Sequence, residues 1–428
     1  MTADRDGEGP AVDEGPEQIA AMLHPELESL KDVDRADVYK SGQLAAHLTR
    51  TSAGLIEFAY TRDWITHAGP PVASTLPVTT DVITMPGGAL PAFFTGLLPE
   101  GRRLTELREG VKTSPDDELS LLLGVGSDTI GDVQVVPEGA ELAAANPALS
   151  IVGYDLLSFR DVLRAAGLNP DRVGLPGVQD KLSAQMISLP VDARGRRQLL
   201  KLNPPRVRHL VENEHFFINA AKHAGIRTVD ARIVADKDDE LGLAVTRFDR
   251  IETPAGETLS LPVEDGCQVL GLPPASKYSI RTEELLLRLT GLCEAPIPAA
   301  AEFLTQIVQA YLSINGDAHA KNFSVMQDQT GRWQPTPAYD LPSTYFYDDH
   351  KLALSVSGEK GPNITGKKFL ELGTTLGLRP RAIEKIIART SDATEVWLEQ
   401  IDVLPYPPDK LHGLKKAVQA RLRFLRVR

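Results

Sequence analysis

Asp317, Asn322 and Asp340 have the residue types and the order that phosphoryl transfer requires. That reaction needs a carboxylate beside the attacking hydroxyl and a neutral amide oxygen on a magnesium ion. It also needs a second carboxylate joining the metal to the phosphates. The stretch Asn315-Gly316-Asp317-Ala318-His319-Ala320-Lys321-Asn322 offers the first two, and Pro337-Ala338-Tyr339-Asp340 offers the third. In this division Asp317 orients or deprotonates the hydroxyl, and Asn322 and Asp340 hold the metal. Lys321 would offset charge on the transferred phosphoryl group. Asp and Asn also form turns, so Asp-x-His-x-Lys-Asn alone reads equally well as a capped loop. His319 reads as a packed or hydrogen-bonding loop residue, because no second His stands at metal-ligand spacing.

The neighbours of these residues favour the chemical reading. Lys201 lies in a strand-like run over 198–202 and precedes an amphipathic helix over 212–224, opened by Glu212 and Glu214 and closed by Gly225. Lysine, acidic helix, Asp/Asn loop and metal Asp is the order in which kinase-like enzymes supply their parts. The loop itself follows an apolar helical stripe (Phe303, Leu304, Ile307, Val308, Tyr311, Leu312) and precedes a short strand over 323–326. Rigid elements on both sides are what a catalytic loop needs. Upstream, a short helix over 156–166 leads through Gly174-Leu175-Pro176-Gly177-Val178-Gln179-Asp180-Lys181 into an expected strand over 182–187. The loop and two strands could roof a set of phosphates, although the loop is not GxGxxG. Strands over 231–234 and 243–246 complete a small lobe, and beyond residue 260 the chain is mainly helical. Residues 38–140 read as a separate compact α+β unit without a catalytic constellation.

The bulk numbers fit an enzyme. The chain has 428 residues, 42% hydrophobic and 24% charged, enough for two or three domains with a sizeable core. Its formal charge of −12, from 58 acidic and 46 basic residues, disfavours direct nucleic-acid binding. No apolar run approaches the roughly 20 residues a membrane span requires. Residues 1–16 form an acidic Gly/Pro-rich stretch expected to be a disordered tail rather than a secretory signal, which places the chain in the cytoplasm. Cys267 and Cys293 read as buried thiols, with a disulfide the lesser alternative. A basic cluster (Lys415, Lys416, Arg421, Arg423, Arg426, Arg428) shares a terminal helical pattern with Leu411, Leu414, Val418, Leu422 and Leu425, and reads as a solvated face.

With these motifs in hand, the chain resembles the HipA family of bacterial serine/threonine kinase toxins. Pro176-Gly177-Val178-Gln179-Asp180-Lys181 is similar to the family's phosphate loop, and Lys201 in Leu-Leu-Lys-Leu to its ATP lysine. Glu214 is the preferred acidic partner. Val245-Thr246-Arg247-Phe248-Asp249-Arg250 resembles the adenine-binding hinge, and residues 264–273 the helix after it. Residues 316–325 carry the Asp-x-His-Ala-Lys-Asn-Phe-Ser signature, and Tyr339-Asp340 the metal pair. Leu97-Leu98-Pro99-Glu100 and Gly131-Asp132-Val133 resemble the family's N-terminal subdomain, so the likeness covers nearly everything after the tail.

The resemblance implies an α+β, bilobal protein-kinase-like (phosphatidylinositol-kinase-like) fold. Its parts would be a small N-terminal α+β subdomain over 17–150, a kinase N-lobe over 151–250 and a mainly helical C-lobe over 251–428. It implies ATP and Mg2+ as cofactors, held by residues 176–181, Lys201, Glu214, Thr246, Arg247, Phe248, His319, Asn322, Tyr339 and Asp340. It further implies phosphorylation of a protein hydroxyl, the family's target class being an aminoacyl-tRNA synthetase. The implied partner is a HipB-like DNA-binding antitoxin, with DNA reached only through it and no membrane contact. Two alternatives stay open, a small-molecule or lipid-headgroup kinase and an ATP-binding co-repressor acting through a DNA-binding partner.

The chain departs from the family at one place of consequence. The serine that well-known members autophosphorylate in the phosphate loop aligns with Gly174, and no Ser or Thr lies between Asp171 and Lys181. Preincubation with ATP is therefore expected to leave phosphoryl-transfer activity intact. Phosphopeptide mapping, with activity measured on the same sample, checks this; a modified, inactivated loop would refute it.

Overall fold

The computed structural model describes residues 27–142, 149–165, 186–193, 195–204, 207–253 and 257–426. The acidic N-terminal stretch and the phosphate-loop motif at 176–181 lie outside these residues.

The first unit is an antiparallel sheet of β1 (Arg35–Lys40), β2 (Gln43–Arg50), β3 (Ile56–Tyr60), β4 (Ile83–Met85) and β5 (Val133–Pro137), in the order β4-β3-β2-β1-β5. In β3 the period of two puts Ile56, Phe58 and Tyr60 inside. Phe58 packs against Phe94 of α1 (Ala92–Leu97), with ring centroids 5.6 Å apart. The helices α2 (Gly101–Val111) and α3 (Glu118–Val125) pack in the same unit, as does a short helix over Arg62–Thr66, and the Asp117 side chain caps α3 by accepting from the Ser120 N–H.

The second sheet has the order β6-β7-β8-β10-β9, from β6 (Leu149–Ile151), β7 (Ile187–Ala193), β8 (Arg196–Leu202), β9 (Ala231–Ala235) and β10 (Leu241–Thr246). β7 starts where the sequence pattern placed a strand's end, and residues 182–185 of that expected strand lie outside the described residues. Pro190 obscured the pattern. It is tolerated because β6 joins β7 only from Val191 onward, so Pro190 pairs on the β8 side alone. The helix expected over 156–166 is interrupted: a 3-10 turn covers Tyr154–Leu156, and Ser158 precedes a helix over Phe159–Ala165. In β8 the period of two sends Gln198, Leu200 and Leu202 to one face and Lys201 to the other. α4 (Leu210–His223) carries Glu214 and ends at Gly225, whose φ of +77° suits a residue without Cβ.

A hairpin, β11 (Arg250–Glu252) and β12 (Thr258–Ser260), leads to the helical lobe. There a three-stranded sheet, β13 (Val263–Asp265), β14 (Ser324–Gln327) and β15 (Trp333–Pro335), frames the Asp/Asn loop. Around it pack α5 (Gly266–Leu270), α6 (Thr282–Leu292), α7 (Pro296–Leu312), α8 (Gly366–Thr375), α9 (Pro380–Gln400) and α10 (Pro408–Arg426). The largest core cluster belongs to this lobe and includes Phe303, Leu304, Ile307, Val308, Tyr311 and Leu312 of α7. Cys267 and Cys293 are buried free thiols. Among the described residues no helix is long and apolar enough to cross a membrane.

The terminal basic helix needs one correction. Arg421 is 2% exposed and does not belong to a solvated face. Its guanidinium donates to the Tyr311 and His350 carbonyls and lies 4.7 Å from the Tyr311 ring centroid. It occupies the buried side between Val418 and Leu422, where a long planar donor can reach two carbonyls that apolar residues would strand. Arg421→Ala should lower stability by about 3 kcal/mol, and exposed Arg423→Ala by less than about 0.5. Denaturant unfolding of both variants tests the contrast.

Candidate active site

Four of the sequence-predicted residues, Lys201, Glu214, Asn322 and Asp340, meet in one buried cluster. Lys201 Nζ lies 2.7 Å from Glu214 Oε1 and 3.3 Å from Asp340 Oδ1. Strand periodicity aims the lysine at α4, and Glu214, rather than Glu212, faces it from the first helical turns. Asn322 Nδ2 donates to Asp340 Oδ2 at 3.2 Å, so the two expected metal ligands are adjacent. Asp340 holds φ at +57°, a left-handed conformation that Asp adopts more readily than most residues and that recurs at functional sites.

Electrostatics follow from burial. Burial alone would lower the Lys201 pKa, but the Asp340 and Glu214 carboxylates outweigh it and hold the ammonium above its ordinary value. Burial likewise opposes ionisation of Asp340, yet Lys201 keeps that carboxyl below its ordinary value. Glu214 is pushed up, first by burial and then by Asp340, and its Oε2 is buried with no hydrogen-bond partner among the described residues. Lys201 thus lies between two carboxyl groups, of which Asp340 is held ionised and Glu214 is pushed toward its neutral form. Among the described residues no group of three or more His, Cys, Asp or Glu could hold a metal. An amide oxygen and one carboxylate do suit Mg2+, which usually binds few protein groups and completes its shell with water and phosphate oxygens.

The Asp/Asn loop is held from several sides. The Asp317 N–H donates to Asn315 Oδ1 at 3.0 Å, and Asp317 Oδ1 accepts the Tyr278 phenol at 2.7 Å. Gly316 is demanded by packing, since a Cβ there would come within 2.7 Å of Asp349 Oδ2 and the Lys351 carbonyl. His319 is buried beside the Tyr278 ring, 5.0 Å away edge-on, and its Nδ1 has no hydrogen-bond partner among the described residues. Tyr339 donates to the Lys321 carbonyl at 2.6 Å and stacks on Phe248, which ties the turn at Phe248 to the Tyr339–Asp340 segment.

Two residues are placed differently from their expected parts. The Lys321 ammonium is committed to Asp265 Oδ2 at 3.1 Å, the Gly96 carbonyl at 2.8 Å and Glu100 Oε1 at 3.6 Å. It fastens the loop to the N-terminal unit, so the geometry does not offer it to a transferred phosphoryl group. Arg247 turns its side chain toward Asp128 at 2.8 Å, Asp249 at 2.8 Å and the Thr129 carbonyl at 2.8 Å. The Thr246 and Arg247 N–H groups already donate to the Asp230 and Arg197 carbonyls. A hinge contact to adenine would therefore fall to the Phe248 N–H, for which the described residues provide no acceptor. Residues 176–181 fall outside the described residues.

Sequence reasoning missed Tyr278, Asp249 and the part played by Glu100. Tyr278 and Glu100 act through contacts more than thirty residues away, which spacing along the chain cannot reveal. Asp249 carried a signal, an acidic residue set between Arg247, Phe248 and Arg250 in a tight turn.

Comparison with known proteins places this geometry. A model of the HipA-like C-terminal domain matches residues 173–397, and a model of the HipA N-terminal domain matches residues 36–136. The chain is 29% identical over 336 residues to the serine/threonine-protein kinase toxin HipA of Shewanella oneidensis, covering 71% of this chain and 74% of that one. It is 28% identical over 427 residues to Y4mE of Sinorhizobium fredii, whose name classes it as a kinase, covering 91% and 98% respectively. The fold is similar to Shewanella oneidensis HipA solved in complex with HipB and operator DNA. The TM-score is 0.73 at 24% identity, over 91% of this chain and 97% of that one.

Burial, with Lys277 second, drives the His319 imidazole from 6.5 down to about 3. The native protein keeps this ring neutral, while the unfolded chain protonates it below about 6.5. The stability it contributes is complete above pH 6.5 and is lost as pH falls toward 3. Between pH 7 and 4.5, wild type should lose about 2 to 3 kcal/mol more than His319→Gln. Urea unfolding at both pH values checks this, and equal losses would refute it.

Proposed function

The chain belongs to the HipA family, and we propose that it is an ATP- and Mg2+-dependent serine/threonine protein kinase acting on a hydroxyl of another protein. The observation that carries this reading is the buried Lys201–Glu214–Asp340 cluster with Asn322 beside it. Lys201, fixed by Glu214, binds nucleotide phosphates as a point charge. Asn322 and Asp340 hold Mg2+, which when bound neutralises charge on the phosphate oxygens. Asp317 accepts the hydrogen bond of the acceptor hydroxyl and aligns it with the terminal phosphorus. Tyr278 donates to one oxygen of that carboxylate and fixes its orientation. Phe248 and Tyr339, stacked with centroids 5.8 Å apart, wall the nucleotide cleft at the hinge.

The substrate and partner rest on chemistry and kinship. A serine or threonine of a translation protein, with an aminoacyl-tRNA synthetase as first candidate, is the proposed acceptor. A HipB-like antitoxin is the proposed partner, supported by the HipB and operator DNA in the Shewanella complex. The net charge of −12 supports DNA being reached through that partner.

Labelled ATP with cell lysate tests the activity. Wild type should label a discrete protein band that Asp317→Ala loses, with turnover falling at least about a hundredfold, or roughly 3 kcal/mol of barrier, while nucleotide still binds. Asp340→Asn should abolish Mg2+-dependent ATP binding, measured by calorimetry. Equal turnover in wild type and Asp317→Ala would overturn the assignment, and label confined to lipid or small molecules would redirect it.

A further inference from the structure

Asn213 immediately precedes Glu214 in α4 and is fully buried. Its Nδ2 donates to the Ser343 carbonyl at 3.0 Å, and its Oδ1 accepts the Ser343 N–H at 2.8 Å. A side-chain amide has the donor and acceptor of a peptide group, so this pair reproduces the double hydrogen bond of a β-bridge. Nδ2 also donates to the Tyr406 hydroxyl at 3.1 Å. Tyr406 in turn donates to the His209 carbonyl at 3.1 Å, just ahead of α4, and stacks on Phe346 at 3.6 Å.

These contacts close a ring. Asn213 and Glu214 are adjacent in the chain, and Ser343 lies shortly after Asp340. Glu214 reaches Lys201, Lys201 reaches Asp340, and Ser343 returns to Asn213. We infer that Asn213 is a positioning residue that locks the lysine–glutamate pair to the metal-binding segment. Kinases require that ion pair and the metal Asp in place together, and movement of the helix bearing the Glu is a usual way to separate them. In this chain the helix cannot swing out without breaking two hydrogen bonds of a buried amide to one backbone unit. Exposing or stranding those groups is what makes the assembled arrangement persist. The inference rests on the kinase reading of the same site.

Asn213→Asp tests it with little change in shape, because a carboxylate cannot donate to the Ser343 carbonyl and adds negative charge beside Glu214. Mg2+-ATP affinity by calorimetric titration, phosphoryl-transfer KM and kcat, and thermal unfolding are measured together. KM for ATP and the dissociation constant should rise about tenfold or more, with kcat falling less. Asn213→Asp/Glu214→Gln should bind no more weakly than Glu214→Gln alone, because both changes open one ring. Wild-type affinity and KM in folded Asn213→Asp, or losses that multiply in the double variant, would overturn the inference. Should Asn213→Asp not fold, Tyr406→Phe removes one of the three bonds. A KM raised about threefold then supports the lock, and an unchanged KM overturns it. Wild type that fails to bind ATP would sink the kinase reading, whereas wild type that binds as Asn213→Asp does would sink only the lock.

Discussion

The ammonium of Lys201, withdrawn from water between two carboxylates, is the constraint around which this structure is organised. Removing such charges from solvent costs several kcal/mol for each ion, and the mutual attraction offsets it only when geometry is tight. Lys201 meets both partners within 3.3 Å, and each comes from a different element, Glu214 from a helix and Asp340 from a left-handed turn. A strand, a helix and a turn must therefore be fixed together before the charges are tolerable. Burial pushes the Glu214 carboxyl up, while Lys201 keeps that of Asp340 below its ordinary value, so one cluster holds two carboxyl groups of opposite tendency.

The N-terminal unit takes part in fixing those elements. Lys321, next to Asn322 in the chain, anchors to Gly96 and Glu100 of that unit. Lys277, next to Tyr278, pairs with the same Glu100. On the other side, Arg247 and Arg250 share Asp249 and reach Asp128 and Thr129. Burial opposes ionisation of Asp249, yet Arg247 and Arg250 hold its carboxyl below the ordinary range. The Asp249 carboxylate also accepts the Gly131 N–H at 2.9 Å, which adds a side-chain-to-backbone bond between the two units. The segment around Arg247 and the Asp/Asn loop are thus braced against the same N-terminal unit, which becomes part of the candidate site's rigidity.

Close backbone approach completes the frame. Gly266 lets α5 run against the catalytic loop, since a Cβ there would meet the Ala320 carbonyl at 2.7 Å. Asp265 caps that helix in a capping box with Gln268 while also holding Lys321. Gln268 sends its amide to the Phe93 carbonyl at 2.9 Å, so one short helix start links loop, cap and N-terminal unit.

The residues proposed to do chemistry were picked out in the sequence by types and order that the reaction would require. A kinase site needs Lys, Glu, Asp, Asn and Asp in sequence, and periodicity placed each on a strand, helix or loop. Period two put Lys201 on the face opposite Leu200, and helical spacing identified α7 as the buried support for the loop. Short strands and their limits were read less well. β7 was displaced because Pro190 resembles a strand breaker until its one-sided pairing is known. What only the tertiary structure decided is where long polar side chains end. Lys321, Arg247 and Arg421 all looked available to ligand or solvent, yet each is spent on a partner far along the chain. Charge type is local information, but the partner that satisfies a buried charge is set by packing between distant segments. The sequence by itself therefore pointed to the class of chemistry, because residue type and order are local, and the tertiary structure decided which partner each cation meets, because packing brings distant segments together.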